Sequence, residues 1–519
     1  MCGIIFSNNP IISESRFRKA VHRIHHRGPD YSSVEIRENG IKIGHTRLSI
    51  TDPEKRSNQP FTSSSGRHTV IFNGEIYNYK DLRKAENFDW KTNGDTEVIV
   101  ELFEKFGARI LEKFIGMFTI LIINNFNGEI FAARDRLGVK PLYFRKSNNF
   151  FTFGSETAVF HELYDDLTPS RSGIDQYKNL RTTFNGETFY NEIREFPAGH
   201  FFQGEKFHKY WTLESPNMGD VSESGFIDVF QEAVELRIPK DVAYGSLLSG
   251  GIDSALLTKA SNSKYSWCVG MDGMNEFSES TSNALEFGTQ HKNVLVSSET
   301  FIDTLAEMVE QRKEPLSVPN EVLIYILSKE ISKDVKVVFS GEGADELFAG
   351  YDRIFDWASK AKKFNIVEFA NLYSYTNSIN LEIVESAVQP FMHFHDPYLI
   401  VSAFFQQFHL IGLLKRLDHA TMLAGVESRN PFVDHRLVEL MFGISYHRKS
   451  QNGALPKYLM REASKDILSE TIRMRHKVGF PVPIAEIFCL GEKIDRKVEY
   501  DYWLHHNLSI LNWDGDFSG

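Results

Sequence analysis

The sequence contains 519 residues, of which 42% are hydrophobic and 13% aromatic, which is the apolar content of a folded protein with two large or three smaller domains. A formal charge of −11 without a concentrated run of Lys or Arg argues against nucleic-acid binding, and no apolar run reaches the ~18 residues of a membrane span. Three cysteines without metal-ligand spacing exclude a disulfide framework or zinc module and, with a start unlike a signal peptide, favour a cytoplasmic location.

The chain begins with Met1, Cys2 and Gly3, and removal of the methionine would leave a cysteine with a free α-amine. An α-amine titrates near pH ~8, so it can accept the proton of the neighbouring thiol. N-terminal threonine nucleophiles are activated by their own amines in the same way. The pattern indicates an N-terminal nucleophile, and an ordinary cysteine at this position is the alternative that these few residues leave open.

Residues 1–208 alternate short β-rich runs with turns, which predicts a sheet-dominated domain. The predicted strands cover residues 40–50, 69–72, 118–123, 129–133, 142–144 and 150–153. Asn127-Gly128 is a hairpin signal between two of them. Apolar residues at helical spacing predict helices over residues 15–25 and 96–106.

A polar stretch with Ser, Gly, Asp and Pro has little to bury, and we assign residues 209–225 to a linker. The second domain then covers residues 226–519. Its predicted helices include residues 226–236 and 254–260, and its predicted strands residues 242–248, 266–269 and 335–339. Strands that alternate with helices predict a parallel α/β sheet, and helical periodicity dominates from about residue 354 onward.

The segment LSGGIDS, residues 248–254, lies where a predicted buried strand turns into a helix. Its glycines let the backbone approach a ligand closely, and the N–H groups and dipole at the helix start favour an anion such as pyrophosphate. The segment lacks the GK[ST] of a Walker motif and is not a dinucleotide fingerprint. A glycine turn that binds no phosphate is the alternative.

A second loop, SGEGADE at residues 340–346, follows the strand predicted over residues 335–339. Open α/β sheets bind ligands at the carboxyl ends of their strands, so we expect Asp253 and Asp345 to meet across one crevice. Two carboxylates beside a pyrophosphate suit Mg²⁺, which prefers oxygen ligands. The alternative is an acidic cluster that only caps helices.

Together with further motifs, these segments resemble a known family. The motifs are MCGI (1–4), HHRGPD (25–30), GHTRLSI (44–50), FNGEIYNY (72–79), GDTEVI (94–99), ARDRLGVKPLYF (133–144), FGSE (153–156), LSGGIDS (248–254), SGEGADELFAGY (340–351), ESRNPFVD (427–434), LPKYLMREA (455–463) and HKVGFPVPI (476–484). The N-terminal half resembles the glutaminase domain of class II, N-terminal nucleophile glutamine amidotransferases. The C-terminal half resembles the ATP-pyrophosphatase domain of glutamine-hydrolysing asparagine synthetases.

The resemblance covers nearly the whole chain and implies a fold for each half. The first is expected to be an α+β domain of layered antiparallel sheets with helices. The second is expected to be an α/β domain with a parallel sheet and a helical C-terminal part.

In the first half, the resemblance implies that Cys2 attacks the carboxamide carbon of L-glutamine to form a thioester. The side-chain amide of Asn73 and the backbone N–H of Gly74 would hold the oxyanion. The remaining contacts are to the two charged groups of glutamine. The planar guanidinium of Arg47 would bind its α-carboxylate, and Glu75 and Asp95 would accept from its α-ammonium.

In the second half, the resemblance implies an ATP site. The pyrophosphate loop would comprise Ser249, Gly250, Gly251, Asp253 and Ser254, and the adenosine would be surrounded by Leu247, Val269, Ser340 and Gly341. Lys457, and with weaker support Lys477, would neutralise the phosphates. Glu342 would handle protons from ammonia, and Asp345 would join Asp253 as a magnesium ligand.

Three departures from the family pattern bear on how the substrates fit. Ala255 follows Ser254 where the family usually has a second serine, and FAGY at residues 348–351 replaces FGGY. Asn430 stands where a small or apolar residue is common.

The resemblance implies that ATP, with Mg²⁺, activates L-aspartate and that ammonia from L-glutamine converts it to L-asparagine, releasing AMP, pyrophosphate and L-glutamate. The second interpretation is an amidotransferase of the same chemistry that acts on another carboxylate, such as a sugar acid or a peptide. The third is a catalytically silent binding homologue. A homodimer is among the expected assemblies, and the hydrophobic tail around Trp503 and Trp513 would dock on this chain or on a partner.

Overall fold

The computed structural model describes residues 2–214, 222–476, 479–491 and 494–514. The strands of the first domain are β1 Cys2–Ser7, β2 Tyr31–Ile36, β3 Lys42–Arg47, β4 Phe61–Thr62, β5 His68–Ile76, β6 Gly116–Asn124, β7 Ile130–Arg134, β8 Tyr143–Ser147, β9 Phe150–Gly154, β10 Arg194–Glu195, β11 His200–Gln203 and β12 Lys206–Lys209. Its α-helices are α1 Glu14–Arg23, α2 Tyr79–Lys84, α3 Asp95–Phe106, α4 Ile110–Lys113, α5 Ala158–Leu163 and α6 Arg171–Leu180.

The strands of the second domain are β13 Tyr244–Leu247, β14 Tyr265–Met271, β15 Gln290–Val296, β16 Val337–Phe339 and β17 Glu427–Arg429. Its α-helices are α7 Glu223–Arg237, α8 Ile252–Ala260, α9 Phe277–Phe287, α10 Ser298–Arg312, α11 Asn320–Ile331, α12 Ala344–Leu347, α13 Asp352–Lys360, α14 Ile366–Tyr373, α15 Leu381–Val388, α16 Pro397–Ala403, α17 Leu410–Leu423, α18 His435–Phe442, α19 Tyr446–Ser450, α20 Tyr458–Ala463, α21 Glu470–Arg473, α22 Ile484–Ile487 and α23 Arg496–Ile510.

Two stacked antiparallel sheets form the centre of the first domain. Their strand orders are β10-β8-β9-β1-β3-β2 and β12-β11-β7-β6-β5-β4. Ile4 and Phe6 of β1 share a buried cluster with Ile71 of β5 and Leu121 of β6, so the inner faces of the sheets enclose one core. Ile5 points to the other side of β1, as strand alternation requires, and belongs to the cluster that contains α1 and α5.

The outer face of the second sheet is covered in the same way. Phe72 of β5 and Phe118 of β6 pack with Val98 and Leu102 of α3. The layers therefore run helix, sheet, sheet, helix. This is the α+β arrangement of layered antiparallel sheets with helices that the sequence predicted, and the fold class is confirmed for this half.

The first strand lies inside its sheet. β1 pairs with β3 on one side and with β9 on the other, and the register sets Cys2 opposite Arg47. All six residues of β1 are buried, because neighbouring strands and both layers surround it. The fold thus brings Cys2 into the interior of the first domain.

A parallel sheet of order β15-β14-β13-β16-β17 forms the centre of the second domain, which confirms the α/β prediction. β13 and β16 are neighbours, with Ser246 opposite Phe339, so the loops that follow them lie side by side. Helix α7 begins at Glu223, within the range assigned to the linker. Residues 215–221 of that range lie outside the described residues.

The C-terminal tail docks on its own chain. Trp503 of α23 is fully buried, with its ring 6.2 Å from that of Phe301. Trp513 packs on the first domain, 6.2 Å from Phe189 and 5.5 Å from Tyr190. Of the two alternatives left open by the sequence, this packing supports docking on this chain.

One run of the second domain, Pro397–Met422, is long and apolar enough to cross a membrane by length and composition alone. Its best window has a mean hydropathy of 1.3, and 56% of that window is buried inside the protein. Phe404 and Leu414 of this run belong to the core, and polar residues such as Gln406 and Lys415 interrupt its apolar sequence. A mostly buried core helix meets the same criterion, so the run is weak support for a membrane span.

Candidate functional site

The thiol of Cys2 is buried at the start of β1, where the residue is 7% exposed. Its backbone N–H donates to Asn73 Oδ1 at 3.0 Å, and its carbonyl accepts from Arg27 Nε at 3.2 Å. Burial raises the pKa of the Cys2 thiol, because it disfavours the thiolate. A neutral thiol at this position needs a nearby base before it can attack a carbonyl carbon.

Asn73 and Gly74, which follow one another on β5, lie beside this cysteine. Asn73 is fully buried, and its Nδ2 has no hydrogen-bond partner among the described residues. Leaving a buried donor without an acceptor costs free energy. A ligand oxygen that accepted from Asn73 Nδ2 would remove this cost. Gly74 admits no side chain, since a Cβ there would lie 2.0 Å from the carbonyl oxygen of Met117.

Glu75 and Asp95 form a buried pair of carboxylates next to these two residues. Glu75 Oε1 accepts from the Thr51 hydroxyl at 2.7 Å, and Asp95 Oδ2 accepts from the Ile76 N–H at 2.9 Å. Burial raises the pKa of Glu75, and burial together with the charge of Glu75 raises the pKa of Asp95 well above its usual value. Two carboxylates in this state would be stabilised by a cation placed between them.

Arg47 lies opposite Cys2 but is already bonded to a loop. Its Nη1 donates to the Glu54 carbonyl at 3.0 Å and to Asn58 Oδ1 at 2.7 Å. Its Nη2 donates to the carbonyls of Thr51 and Asp52 at 3.2 and 2.6 Å. The guanidinium therefore organises residues 51–58 in this structure, and binding a carboxylate through both Nη groups would require some of these bonds to exchange.

The glycine-rich loop after β13 is held by its own serines. The Ser249 N–H donates to Ser254 Oγ at 3.1 Å, and the Gly251 N–H donates to Ser249 Oγ at 3.0 Å. A Cβ on Gly250 would lie 2.8 Å from Glu276 Oε1. The loop thus forms a tight turn directly before α8. The backbone at the start of α8 lies beside the loop that follows β16.

The neighbouring strand ends line the same crevice. Leu247 ends β13, Val269 lies on β14, and Ser340 and Gly341 directly follow β16. Gly341 is so close to the first loop that an added Cβ would lie 3.3 Å from the Cβ of Asp253. The residues predicted to surround an adenosine therefore come from three adjacent strands.

A single lysine joins the two loops. Lys457 is 3% exposed, and its ammonium contacts Asp253 and lies 2.6 Å from Asp345 Oδ1. Asp253 Oδ1 is buried and has no partner among the described residues. The structure thus brings together the three charged residues that the sequence assigned to this crevice, whereas Lys477 lies outside the described residues.

Glu342 of the second loop pairs with a cation that the sequence analysis missed. Arg416 of α17 donates to Glu342 Oε2 at 2.8 Å and to Asn320 Oδ1 at 3.0 Å, and its buried Nε has no partner in the described part of the chain. Burial and then the charges of Asp345 and Glu342 raise the pKa of Glu346 to about 8. Arg416 carries no local sequence signal, because it is one of two neighbouring cations, Lys415 and Arg416, on α17.

Comparisons with known proteins identify a family for each half of the chain. Residues 1–211 match the glutamine amidotransferase domain family, and residues 225–498 match the asparagine synthase family. The chain is 27% identical over 555 residues to asparagine synthetase [glutamine-hydrolyzing] 1 of Bacillus subtilis, covering 93% of this chain and 87% of that protein. It is 26% identical to the asparagine synthetase [glutamine-hydrolyzing] of Zea mays, covering 90% and 74%.

Solved structures are more distant. One is titled as the structure of the allosteric regulatory enzyme of purine biosynthesis, with 15% sequence identity and a TM-score of 0.31 over 57% of this chain and 65% of that one. Such a score is too low to support a conclusion. The asparagine synthase match alone covers more than half of the sequence. The chain therefore belongs to the asparagine synthase family, as a glutamine-dependent ligase with an N-terminal glutamine amidotransferase domain.

Proposed function

We propose that the protein is a glutamine-hydrolysing asparagine synthetase that converts ATP, L-aspartate, L-glutamine and water to AMP, pyrophosphate, L-asparagine and L-glutamate. The observation that carries the proposal is the pairing of two sites in one chain: Cys2 beside the unpartnered Asn73 Nδ2, and Asp253 and Asp345 joined by Lys457. Its relatives bear the same name. The glutaminase domain is residues 1–208, the linker 209–225 and the synthetase domain 226–519.

In the glutaminase domain, the α-amine of Cys2 takes the thiol proton and Sγ attacks the carboxamide carbon of L-glutamine. Asn73 Nδ2 and the Gly74 N–H donate to the oxyanion. The protonated α-amine returns its proton to the amide nitrogen, which leaves as ammonia, and water hydrolyses the thioester to L-glutamate. Glu75 and Asp95 bind the α-ammonium, which adds a positive charge beside a pair of buried carboxylates of which Glu75 already contacts Arg429. Arg47 binds the α-carboxylate after exchanging bonds to its loop.

In the synthetase domain, the side-chain carboxylate of L-aspartate attacks the α-phosphorus of ATP and displaces pyrophosphate. Ser249, Gly250, Gly251 and Ser254 cradle the phosphates with the backbone of a helix start, and Leu247, Val269, Ser340 and Gly341 surround the adenosine. Lys457 neutralises charge on the phosphates. Ammonia then attacks the acyl carbon of the adenylate, AMP leaves, and Glu342 takes the proton.

Asp253 and Asp345 fit a magnesium ion by their donor chemistry. In the described part of the chain no cluster of three or more His, Cys, Asp or Glu side chains is arranged to hold a metal. Two carboxylates, one with a buried unpartnered oxygen, leave room for phosphate oxygens in the coordination shell. The ion, when bound, would stabilise the charge of the departing pyrophosphate.

The acceptor pocket must pair both charged groups of L-aspartate, because burying either of them alone is costly. Arg416, with its unpartnered Nε, is the cation that we assign to the α-carboxylate. Glu314, which is 3% exposed, is our assignment for the α-ammonium. We place the protein in the cytoplasm, where its three cysteines, free thiols in this structure, would stay reduced.

The test is a product assay with purified protein, ATP, Mg²⁺ and L-glutamine. L-aspartate should yield L-asparagine with one AMP formed per product. If L-aspartate releases no AMP above background while a sugar acid or a peptide carboxylate does, the acceptor assignment is wrong and the amidotransferase chemistry stands.

The Cys2→Ala variant is the control for the two separate chemistries. It should lose glutamine hydrolysis yet retain synthesis with added ammonium chloride, because only the first site is damaged. Blocking the α-amine with an uncleaved tag should have the same effect. Glutamine turnover at the wild-type rate in the Cys2→Ala protein would contradict the role of Cys2.

A further inference from the structure

Arg429 is the last residue of β17, and its backbone belongs to the ATP crevice. It lies opposite Phe339 in the parallel pairing of β16 with β17. Its carbonyl accepts the N–H of Ser340 at 3.0 Å, where the SGEGADE loop begins. The position of Arg429 therefore fixes the first residue of the loop that carries Glu342 and Asp345.

The side chain of the same residue reaches the other domain. Its Nη2 donates to Glu75 Oε2 at 3.3 Å, its Nε donates to Glu427 Oε1 at 2.6 Å, and its Nη1 donates to the Arg237 carbonyl at 2.7 Å. Arg429 is 1% exposed, so water does not screen these contacts. One residue thus touches the candidate glutamine pocket through its guanidinium and the candidate ATP loop through its carbonyl.

The contact to Glu75 is the longest of these three hydrogen bonds and the one that a ligand would change. Glu75 Oε1 is already bonded to Thr51, and Oε2 is bonded to Arg429. An ammonium that arrives between Glu75 and Asp95 competes with the guanidinium for the charge of Glu75. We expect the guanidinium then to shift toward Glu427 and the Arg237 carbonyl, to which it is already bonded on the side of the synthetase domain.

We propose that Arg429 is a positioning residue that couples the glutamine pocket to the ATP loop, so that occupation of either site changes the affinity of the other. This proposal rests on the proposed function, because it takes Glu75 as the site of the glutamine ammonium. Coupling between two binding sites is reciprocal, and typical values correspond to roughly 5- to 150-fold in affinity. The effect is therefore measurable from either side.

Another ion pair that joins the two domains provides a matched control. Lys336 Nζ lies 2.7 Å from Asp30 Oδ2, and both side chains are partly exposed. Neither residue contacts Glu75, Asp95 or the SGEGADE loop through a hydrogen bond or ion pair in the described part of the chain. Lys336→Gln removes an interdomain ion pair and keeps the Lys336 carbonyl, which accepts the Glu427 N–H at 2.8 Å.

The experiment uses the full chain with Cys2→Ala, so that L-glutamine binds but is not consumed. Calorimetry gives the Kd of ATP with Mg²⁺ in the absence and presence of saturating L-glutamine. We expect the ratio of the two Kd values to differ from one by at least ~5-fold. Added Lys336→Gln should leave this ratio unchanged, whereas added Arg429→Gln should bring it to within about 1.5-fold of one.

Arg429→Lys guards against misfolding, because it keeps a cation between Glu75 and Glu427. A lysine ammonium cannot reproduce the planar fork that bonds two carboxylates and a carbonyl, so the ratio should again fall toward one while the thermal midpoint stays near that of the parent. A parental ratio in Arg429→Lys, a ratio of one in the parent, or equal loss in Lys336→Gln would each overturn the proposal. If the product assay with L-aspartate fails, the ratio of the two ATP Kd values can still be measured. If the protein does not bind ATP, both the proposed function and the coupling through Arg429 are refuted.

Discussion

The ammonium nitrogen of Lys457 lies 2.6 Å from Asp345 Oδ1 and also contacts Asp253, so one buried cation joins the loops after β13 and β16. Burial by itself lowers the pKa of Lys457, but the two carboxylates outweigh burial and hold that pKa above its ordinary value. The lysine therefore stays charged throughout the neutral pH range. In the proposed ATP site, a permanent cation at this position would offset the repulsion between the two carboxylates and the phosphates.

Lys457→Met should lower pyrophosphate release by at least ~10²-fold while glutamine hydrolysis stays within about threefold of wild type. Removing one partner of a buried ion pair typically costs about 3–5 kcal/mol. Because Asp253 and Asp345 keep about a quarter of their side-chain surface exposed, 22% and 27%, we expect a smaller loss of unfolding free energy. Pyrophosphate assays and urea unfolding measure the two effects, and undiminished pyrophosphate release would refute the role of Lys457.

Asn73→Asp should reduce glutamine hydrolysis by ~10²–10³-fold and leave ammonium-dependent synthesis unchanged. The variant keeps an oxygen for the Cys2 N–H but replaces the unpartnered Nδ2 donor with a second acceptor. Asn78→Asp is the control in the same segment, because the Asn78 side chain bonds only to Lys113 and Ile115 backbone groups in the described chain. Rates of glutamate release that fall equally in both variants would mean that Asn73 acts through the fold and not on the oxyanion.

Patterns of apolar residues predicted the elements that bury a hydrophobic face. The hairpin at Asn127-Gly128 joins β6 and β7, with Gly128 at a φ of 76° that favours glycine. The run over 40–50 contains β3 Lys42–Arg47, and the run over 335–339 contains β16. In each case the signal is local, because alternation or an unbroken apolar run depends only on neighbours in sequence.

The strand β17 had no such signal. Its three residues, Glu427, Ser428 and Arg429, are all buried, although their sequence is polar throughout. They are tolerated because Arg429 bonds to Glu75 and to the Arg237 carbonyl, which are distant in sequence. Tertiary packing likewise decides which cation of α17 contacts Glu342. The sequence could therefore identify the second loop but not Arg416.

Lys449 provides a test of pH dependence away from both sites. The residue is 1% exposed, and burial lowers its pKa to about 7. Its ammonium lies 5.8 Å from the Tyr398 ring, and it has no carboxylate partner in the described part of the chain. Because the folded pKa lies below the ordinary value of 10.5, the unfolded chain binds more protons between these limits, and stability is lost as the pH falls toward 7.

Lys449→Met should therefore raise the unfolding midpoint at pH 7.5 by at least about 2 °C, since no charge has to be buried. The advantage should shrink as the pH approaches 10, where the lysine is increasingly neutral in both states. Thermal unfolding of both proteins over this pH range measures the difference. A gap that is constant with pH would show that packing and not ionisation is responsible.

The last prediction concerns the acceptor pocket. Arg416→Gln should raise the KM for L-aspartate at least ~10-fold, because the acceptor carboxylate then loses a charge-assisted hydrogen bond. The KM for ATP should change little, since Arg416 contacts Glu342 and Asn320 and none of the glycine-loop residues. Lys329→Gln is the control, because this partly exposed cation of α11 pairs with Glu307 and not with a residue assigned to the acceptor pocket. Steady-state kinetics with varied L-aspartate separate the two variants, and an unchanged KM in Arg416→Gln would remove Arg416 from the acceptor site.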